Sequence, residues 1–248
     1  MKTIKSIIIF TFVCAHCILS AQTKTLVNSF NEAAISPHIE TTFIEGEEES
    51  VTILESSVPK DKINIEVKNN ELSVYLEGAK AITKNKKVIK NGEKRKESIY
   101  KGKVLTIQVT YKNLKKLILC GEEKTLCKSV LKSDHFDLQI FGDNQVVLNE
   151  VQFNEFSTEV FGESELIIKS GKVNTQSITA FGESHINLVE VISNVSKITS
   201  FGEAEFTVNC SDQIKFSAFG EAKLNYKGTA TVKKGITLGD TTITAISN

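Results

Sequence analysis

The tripeptide Phe-Gly-acid occurs five times, at Phe141-Gly142-Asp143, Phe161-Gly162-Glu163, Phe181-Gly182-Glu183, Phe201-Gly202-Glu203 and Phe219-Gly220-Glu221. Weaker copies flank the run at Cys120-Gly121-Glu122 and Leu238-Gly239-Asp240. The seven glycines stand 18 to 21 residues apart. A fixed period of that size marks a repeat architecture, in which each unit buries its apolar side only against its neighbours.

The residues inside the unit decide which architecture. Five residues after the Phe position stand Thr125, Val146, Leu166, Ile186, Phe206 and Leu224; two further on stand Cys127, Leu148, Ile168, Leu188, Val208 and Tyr226. The residue between them varies, so the period is two and the segment is a half-buried strand. A second strand precedes the motif, with Leu138, Ile178, Ile198 and Phe216 three residues before the Phe and Thr158 as an exception. A propeller blade needs about 40 residues, and a leucine-rich repeat needs its Leu and Asn signature. At about 3.3 Å per residue, a 20-residue all-strand unit has a perimeter of roughly 66 Å, enough for one turn of a β-solenoid whose turns stack about 4.8 Å apart. The chain holds 14 Phe and no Trp. The repeated Phe is expected to face inward as an aromatic column, with the following Gly supplying the corner. Cys120 and Leu238 extend that column at its ends and are expected in the core.

Ahead of the repeat, Ile63 to Val67 and Glu71 to Leu76 read as a hairpin around Lys68-Asn69-Asn70, and Val104 to Tyr111 and Leu117 to Leu119 lead into the first coil. Residues 34 to 118 are expected to cap the N-terminal end. Open sheet edges at solenoid ends invite pairing, and only nine residues follow Gly239, so self-association through a solenoid end is a further expectation.

Lys2 and Lys5, the apolar run Ile7 to Leu19, and Ser20-Ala21 before Gln22 form a secretory signal pattern. The run is shorter than the roughly 20 residues that span a bilayer. Val13-Cys14 and His16-Cys17 are poor lipoprotein acceptor sites, so a soluble mature chain beginning near Gln22 is expected. It retains Cys120, Cys127 and Cys210, an odd number that suits buried free thiols better than a disulfide framework; a Cys120–Cys127 bridge is the alternative. His38, His135 and His185 are far apart and form no ligand-spaced pair with a Cys.

Thirty basic and thirty acidic residues cancel, but unevenly: residues 22–78 carry −7, residues 79–103 carry +8, and residues 104–248 carry −3. The basic segment Ala79 to Lys103 reads as a long connection or hairpin turning at Asn91-Gly92, a pair suited to a tight turn. It is either a solvated loop or a docking surface for an anionic glycan, lipid head group or acidic protein. Nucleic acid is disfavoured, because Tyr100 is its one aromatic.

The extended start Ile39 to Ile44, the strand Val51 to Leu54, the Asn-Asn hairpin with Leu72 to Leu76, the strand Leu105 to Val109 and the Gly-centred repeats together resemble the putative auto-transporter adhesin, head GIN domain family. The resemblance covers residues 34 to 240. It implies a right-handed β-helix at or beyond the cell envelope of Bacteroidota, and it supplies no catalytic residues. The expected organisation is a signal peptide (1–21), a linker (22–33), one all-β solenoid domain (34–240) with about 20-residue coils and a β-rich cap, and a tail (241–248).

Every coil repeats the same residues and none carries a singular reactive cluster, which favours a non-enzymatic envelope or surface protein contacting a surface glycan, envelope component or protein. The alternative is a polysaccharide lyase or hydrolase, for which two carboxylates about 5 to 9.5 Å apart would be needed. The acids Asp143, Glu163, Glu183, Glu203 and Glu221 form a ladder whose mutual repulsion could be relieved by calcium, by solvation, or by partners such as Lys223. His185 is expected to be exposed and incidental. No catalytic residue and no cofactor other than calcium is indicated.

Overall fold

The computed structural model describes residues 23–90 and 92–247; the signal segment and Asn91 of the expected turn lie outside the described residues. Strand accounts for 73% of the described residues, which wind into a β-solenoid of about six stacked coils. Neighbouring coils pair in parallel and in register, so that Phe141, Phe161, Phe181, Phe201, Phe219 and Leu238 lie opposite one another in succession.

The coil's shape follows from its alternation. Along Gln145–Phe161, the inward residues are Val146 and Leu148, then Val151 and Phe153, then Phe156, Thr158 and Val160. The alternation slips at Asn149-Glu150 and at Asn154-Glu155, where two successive side chains avoid the core. These two slips and the Phe-Gly-acid motif are three corners, and each coil is therefore three-sided. The inward positions five and seven residues after the Phe position are buried as the sequence predicts, apart from a half-buried Tyr226 near the C-terminal end.

The Phe column is not inside. Phe141, Phe161, Phe181 and Phe219 are half-buried on the outer surface, and Phe201 is 39% exposed. The reason is parity. Positions five, three and one before the motif face inward, as in Phe156, Thr158 and Val160, so the next residue must face outward. Ile140, Val160, Ala180 and Ala218 fill the place that the inward column was expected to occupy. The rings tolerate the outer surface because they cover one another's faces, with centroids 4.6 to 5.0 Å apart and planes within 1 to 5° of parallel. The interior aromatics are others: Phe136 stacks on Phe153 at 4.7 Å and Phe156 meets both, while Phe206 and Phe216 pack edge to face.

The same parity removes Cys120 and Leu238 from the core. Cys120 is half-buried and Leu238 is 63% exposed. Cys127 and Cys210 are buried, and all three are free thiols. Cys120 lies on the outward Phe position and Cys127 on an inward one, so the two do not pair. Burial pushes the thiols of both Cys120 and Cys127 up from their ordinary range.

At the N-terminal end the coils are stacked out of chain order. Glu32–Ile35 and Ile39–Glu45 form a coil lying between Glu71–Leu76 with Leu105–Tyr111 on one side and Lys116–Gly121 with the start of Lys124–Gly142 on the other. Part of the expected cap is thus solenoid. The cap proper is a set of antiparallel strands: Ile63–Lys68 on Glu71–Leu76, Ser50–Ser56 on Leu105–Tyr111, and Thr23–Leu26 on Ser50–Ser56. The expected hairpin around Lys68-Asn69-Asn70 forms, and both asparagines adopt the left-handed conformation the turn requires. The boundaries set at 33 and 240 are too tight. The expected linker contributes Thr23–Leu26 and the buried Phe30, and the expected tail contributes Thr241–Ala245 to the last coil.

Candidate functional site

The Phe-Gly-acid corner is built by the glycine. Each motif glycine from Gly121 to Gly239 has a φ between +106 and +129°, and a Cβ on Gly142 would stand 2.2 Å from the Gly121 carbonyl oxygen. Only glycine lets the corners stack so closely. The amide of each of Gly162, Gly182, Gly202 and Gly220 donates to the carbonyl of the Phe-position residue in the next coil at 2.8 to 2.9 Å. After the acid comes a small inward residue, in order Asn144, Ser164, Ser184, Ala204 and Ala222. The first three donate side-chain hydrogen bonds back to the glycine carbonyl of the preceding coil: Asn144 Nδ2 to Gly121 at 2.9 Å, Ser164 Oγ to Gly142 at 2.6 Å and Ser184 Oγ to Gly162 at 3.2 Å.

Because that residue turns in, the acid before it and the residue after it stand out on either side. Two parallel ladders result. One is Asp143, Glu163, Glu183, Glu203, Glu221 and Asp240, and the five expected acids within it are exposed. The second, which the sequence reading did not single out, is Gln145, Glu165, His185, Glu205, Lys223 and Thr242, in register across successive coils. Between them runs a groove of about 550 Å³ whose walls carry eight carboxylates against one lysine. Along the chain the outward Phe stack lies two residues ahead of the first ladder, across the glycine corner. The signal that could have located this face was the period-two count backward from the motif.

Lys223 lies opposite Glu205 in the second ladder. Glu205 accepts a hydrogen bond from Asn225 Nδ2 at 2.9 Å and has His185 Nδ1 at 3.8 Å. His185 is half exposed, as expected. Among the described residues no group of three or more His, Cys, Asp or Glu is placed to hold a metal ion; the ladder runs along the solenoid rather than converging on a point. His38, which the sequence reading considered only as a metal ligand, has another role. Its ring nitrogens lie 2.7 Å from the Gly102 carbonyl and 2.8 Å from Thr83 Oγ1, and its amide donates to Glu123 at 2.9 Å. It clamps both ends of the basic insertion to the coil.

That insertion folds as the expected hairpin, with Asn85–Lys90 antiparallel to Glu93–Ser98 and Gly92 in the left-handed conformation. It forms a two-stranded sheet separate from the solenoid. Its root residues Ala81, Ile82 and Thr83 border one cleft together with Cys120, Phe141 and Asp143, so the arm springs from the head of the Phe-Gly-acid column. No helix among the described residues is long and apolar enough to cross a membrane.

Three solved structures share the architecture. A putative adhesin from Bacteroides fragilis is 18% identical, with a TM-score of 0.76 over 91% of this chain and 96% of that one. A putative adhesin from Parabacteroides merdae is 17% identical, with a TM-score of 0.62 over 92% and 96%. A putative lipid binding protein from Parabacteroides distasonis is 16% identical, with a TM-score of 0.62 over 91% and 96%. At such identities the likeness is one of fold. No curated protein matches the chain in sequence. The model of one family matches residues 29–230, a span that takes in the cap, the arm and the Phe-Gly-acid column. The chain belongs to the putative auto-transporter adhesin, head GIN domain family.

Proposed function

We propose that this protein is exported by its N-terminal signal segment and acts at the cell envelope or surface as a non-enzymatic contact protein, its solenoid presenting one long repetitive face for adhesion or assembly. The observation that carries the reading is the regularity of that face. A stripe of stacked Phe rings and a ladder of exposed acids repeat coil after coil, whereas an active site needs one place unlike the others. Membership of an adhesin-named family supports the same reading.

The test pairs two measurements. The chain from Gln22 onward, screened against immobilised glycans and envelope fractions, is expected to retain a ligand through this face, and a strain lacking the gene is expected to attach less well. Unchanged attachment and envelope integrity on deletion would overturn the reading, as would turnover of an acidic polysaccharide that is lost in Glu183→Gln.

A further inference from the structure

The arm and the groove carry opposite charges that the chain itself leaves unmatched. In the hairpin, residues directly opposite share a face. One face holds Lys86, Val88, Lys90, Glu93, Arg95 and Glu97, and two of its three cations are paired with its two acids, Lys90–Glu97 at 3.1 Å and Arg95–Glu93 at 2.9 Å. The other face holds Lys87, Lys96, Lys94 and Ile89 with no acid. Lys87 sits directly opposite Lys96, a like-charge pair that weakens a hairpin. Among the described residues neither these three lysines nor the acids of the first ladder take part in an ion pair. Ile89, on the same cationic face, is 73% exposed. A lone two-stranded hairpin is marginal in water, so an arm of this kind gains order from whatever covers it.

We infer that the arm of one molecule docks by its Lys87-Lys94-Lys96 face into the carboxylate groove of a second copy. The dimensions agree. Six-residue strands are about 20 Å long, and the six levels from Asp143 to Asp240 extend over about 24 Å. The lysines then face acids repeated at every coil. Since the arm is rooted at the head of the column that bears the groove, two antiparallel molecules exchange arms reciprocally and close as a two-fold dimer. This inference rests on reading the ladder face as a contact surface, and it names the partner as another copy of this chain.

Sedimentation of the chain from Gln22 onward tests it without any envelope ligand, so its outcome is separable from that of the attachment assay. The wild type is expected to dimerise at about 20 mM salt and to lose at least tenfold in affinity at about 500 mM. Reversing the arm (K87E/K94E/K96E) or the groove (E163K/E183K/E203K) is expected to weaken the dimer about a hundredfold or more. All six positions are exposed or half-exposed on the surface, and circular dichroism verifies that each variant folds. Mixing the two variants restores complementarity at both contacts and is expected to return a heterodimer. A wild type that stays monomeric at about 100 μM in low salt, an association indifferent to the arm reversal, or a mixture that remains monomeric would each overturn the inference. So would a monomer whose arm instead binds anionic vesicles or a sulfated polysaccharide, since that would give the arm a different occupant.

Discussion

The two halves of this molecule are held together differently. In the regular coils from Gly121 onward, most residues meet their own counterparts one coil away, and stability comes from repetition: aligned backbone ladders, a glycine corner stacked on the next, rings on rings. In the N-terminal block, neighbours are unlike one another. Antiparallel strands close the end, a coil is threaded out of order, and a basic arm is clamped by His38. Repetition lets one amino-acid choice be used many times, whereas irregular contacts let an element differ from its surroundings. The ladder is therefore suited to a long uniform face and the block to a single projecting feature.

The largest expected effect sharpens the distinction between the inside and the outside of the regular coils. Phe156 is buried against Phe136 and Phe153, and Phe181 is stacked on the outer stripe. Phe156→Ala is expected to cost about 3–5 kcal/mol. Phe181→Ala removes area already half in water and is expected to cost about 1 kcal/mol. Denaturant titration of both checks it, and the opposite ranking would return the stripe to the interior.

Glycine substitutions separate ladder from arm. Gly142→Ala places a Cβ 2.2 Å from a backbone oxygen at a φ of +109°, and a loss of about 3 kcal/mol is expected. Gly182→Ala meets the corresponding oxygen at 2.9 Å and should cost less. In the arm, Gly92 also has a positive φ, but a Cβ there has nothing within 4 Å. Gly92→Ala is expected to cost about 1 kcal/mol of local hairpin order and to leave the melting temperature of the solenoid unmoved. A solenoid that melts earlier would mean that arm and coils fold as one unit.

His38→Ala addresses the clamp. Losing the contacts to Thr83 and Gly102 is expected to cost the insertion about 1–2 kcal/mol, read as faster amide exchange at Lys84 to Ile99 with the coils still protected. Equal deprotection of the regular coils would show that the clamp serves the whole fold.

How much of this was legible depended on whether the information was local. The repeat period, the strand pairs and the Asn69-Asn70 turn could all be read from neighbours a few residues apart, and the Gly corners from their spacing. The direction of the Phe column could not be read from its hydrophobicity, because rings stacked on rings are shielded without entering a core. The alternation running back through Ile178 and Ile198 contained the answer, since an odd step from an inward residue leads outward. The threading of Glu32–Ile35 between two later segments left no local trace, because parallel pairing between similar strands does not specify which pair. His38 was hidden for the same reason: its partners Thr83, Gly102 and Glu123 are 45 to 85 residues away.

The residue that interrupted the inward pattern gives the smallest effect and the closest test of register. Thr158 lies between Leu138 and Ile178 in the stack of coils. It is 1% exposed, and its Oγ1 has no hydrogen-bond partner. A buried hydroxyl left unpaired costs the desolvation that water would have offset. Valine keeps the branched shape favoured in strands and replaces that oxygen with a methyl group. Thr158→Val is therefore expected to stabilise the protein by about 1 kcal/mol, seen as a higher denaturant midpoint at an unchanged slope. At the outward residue next to it, Glu159→Gln should leave the midpoint within about 0.5 kcal/mol. If the valine variant lost stability while the outward change was neutral, Thr158 would have to be bonded to something in the coil interior, and the three-sided core would need redrawing at that level.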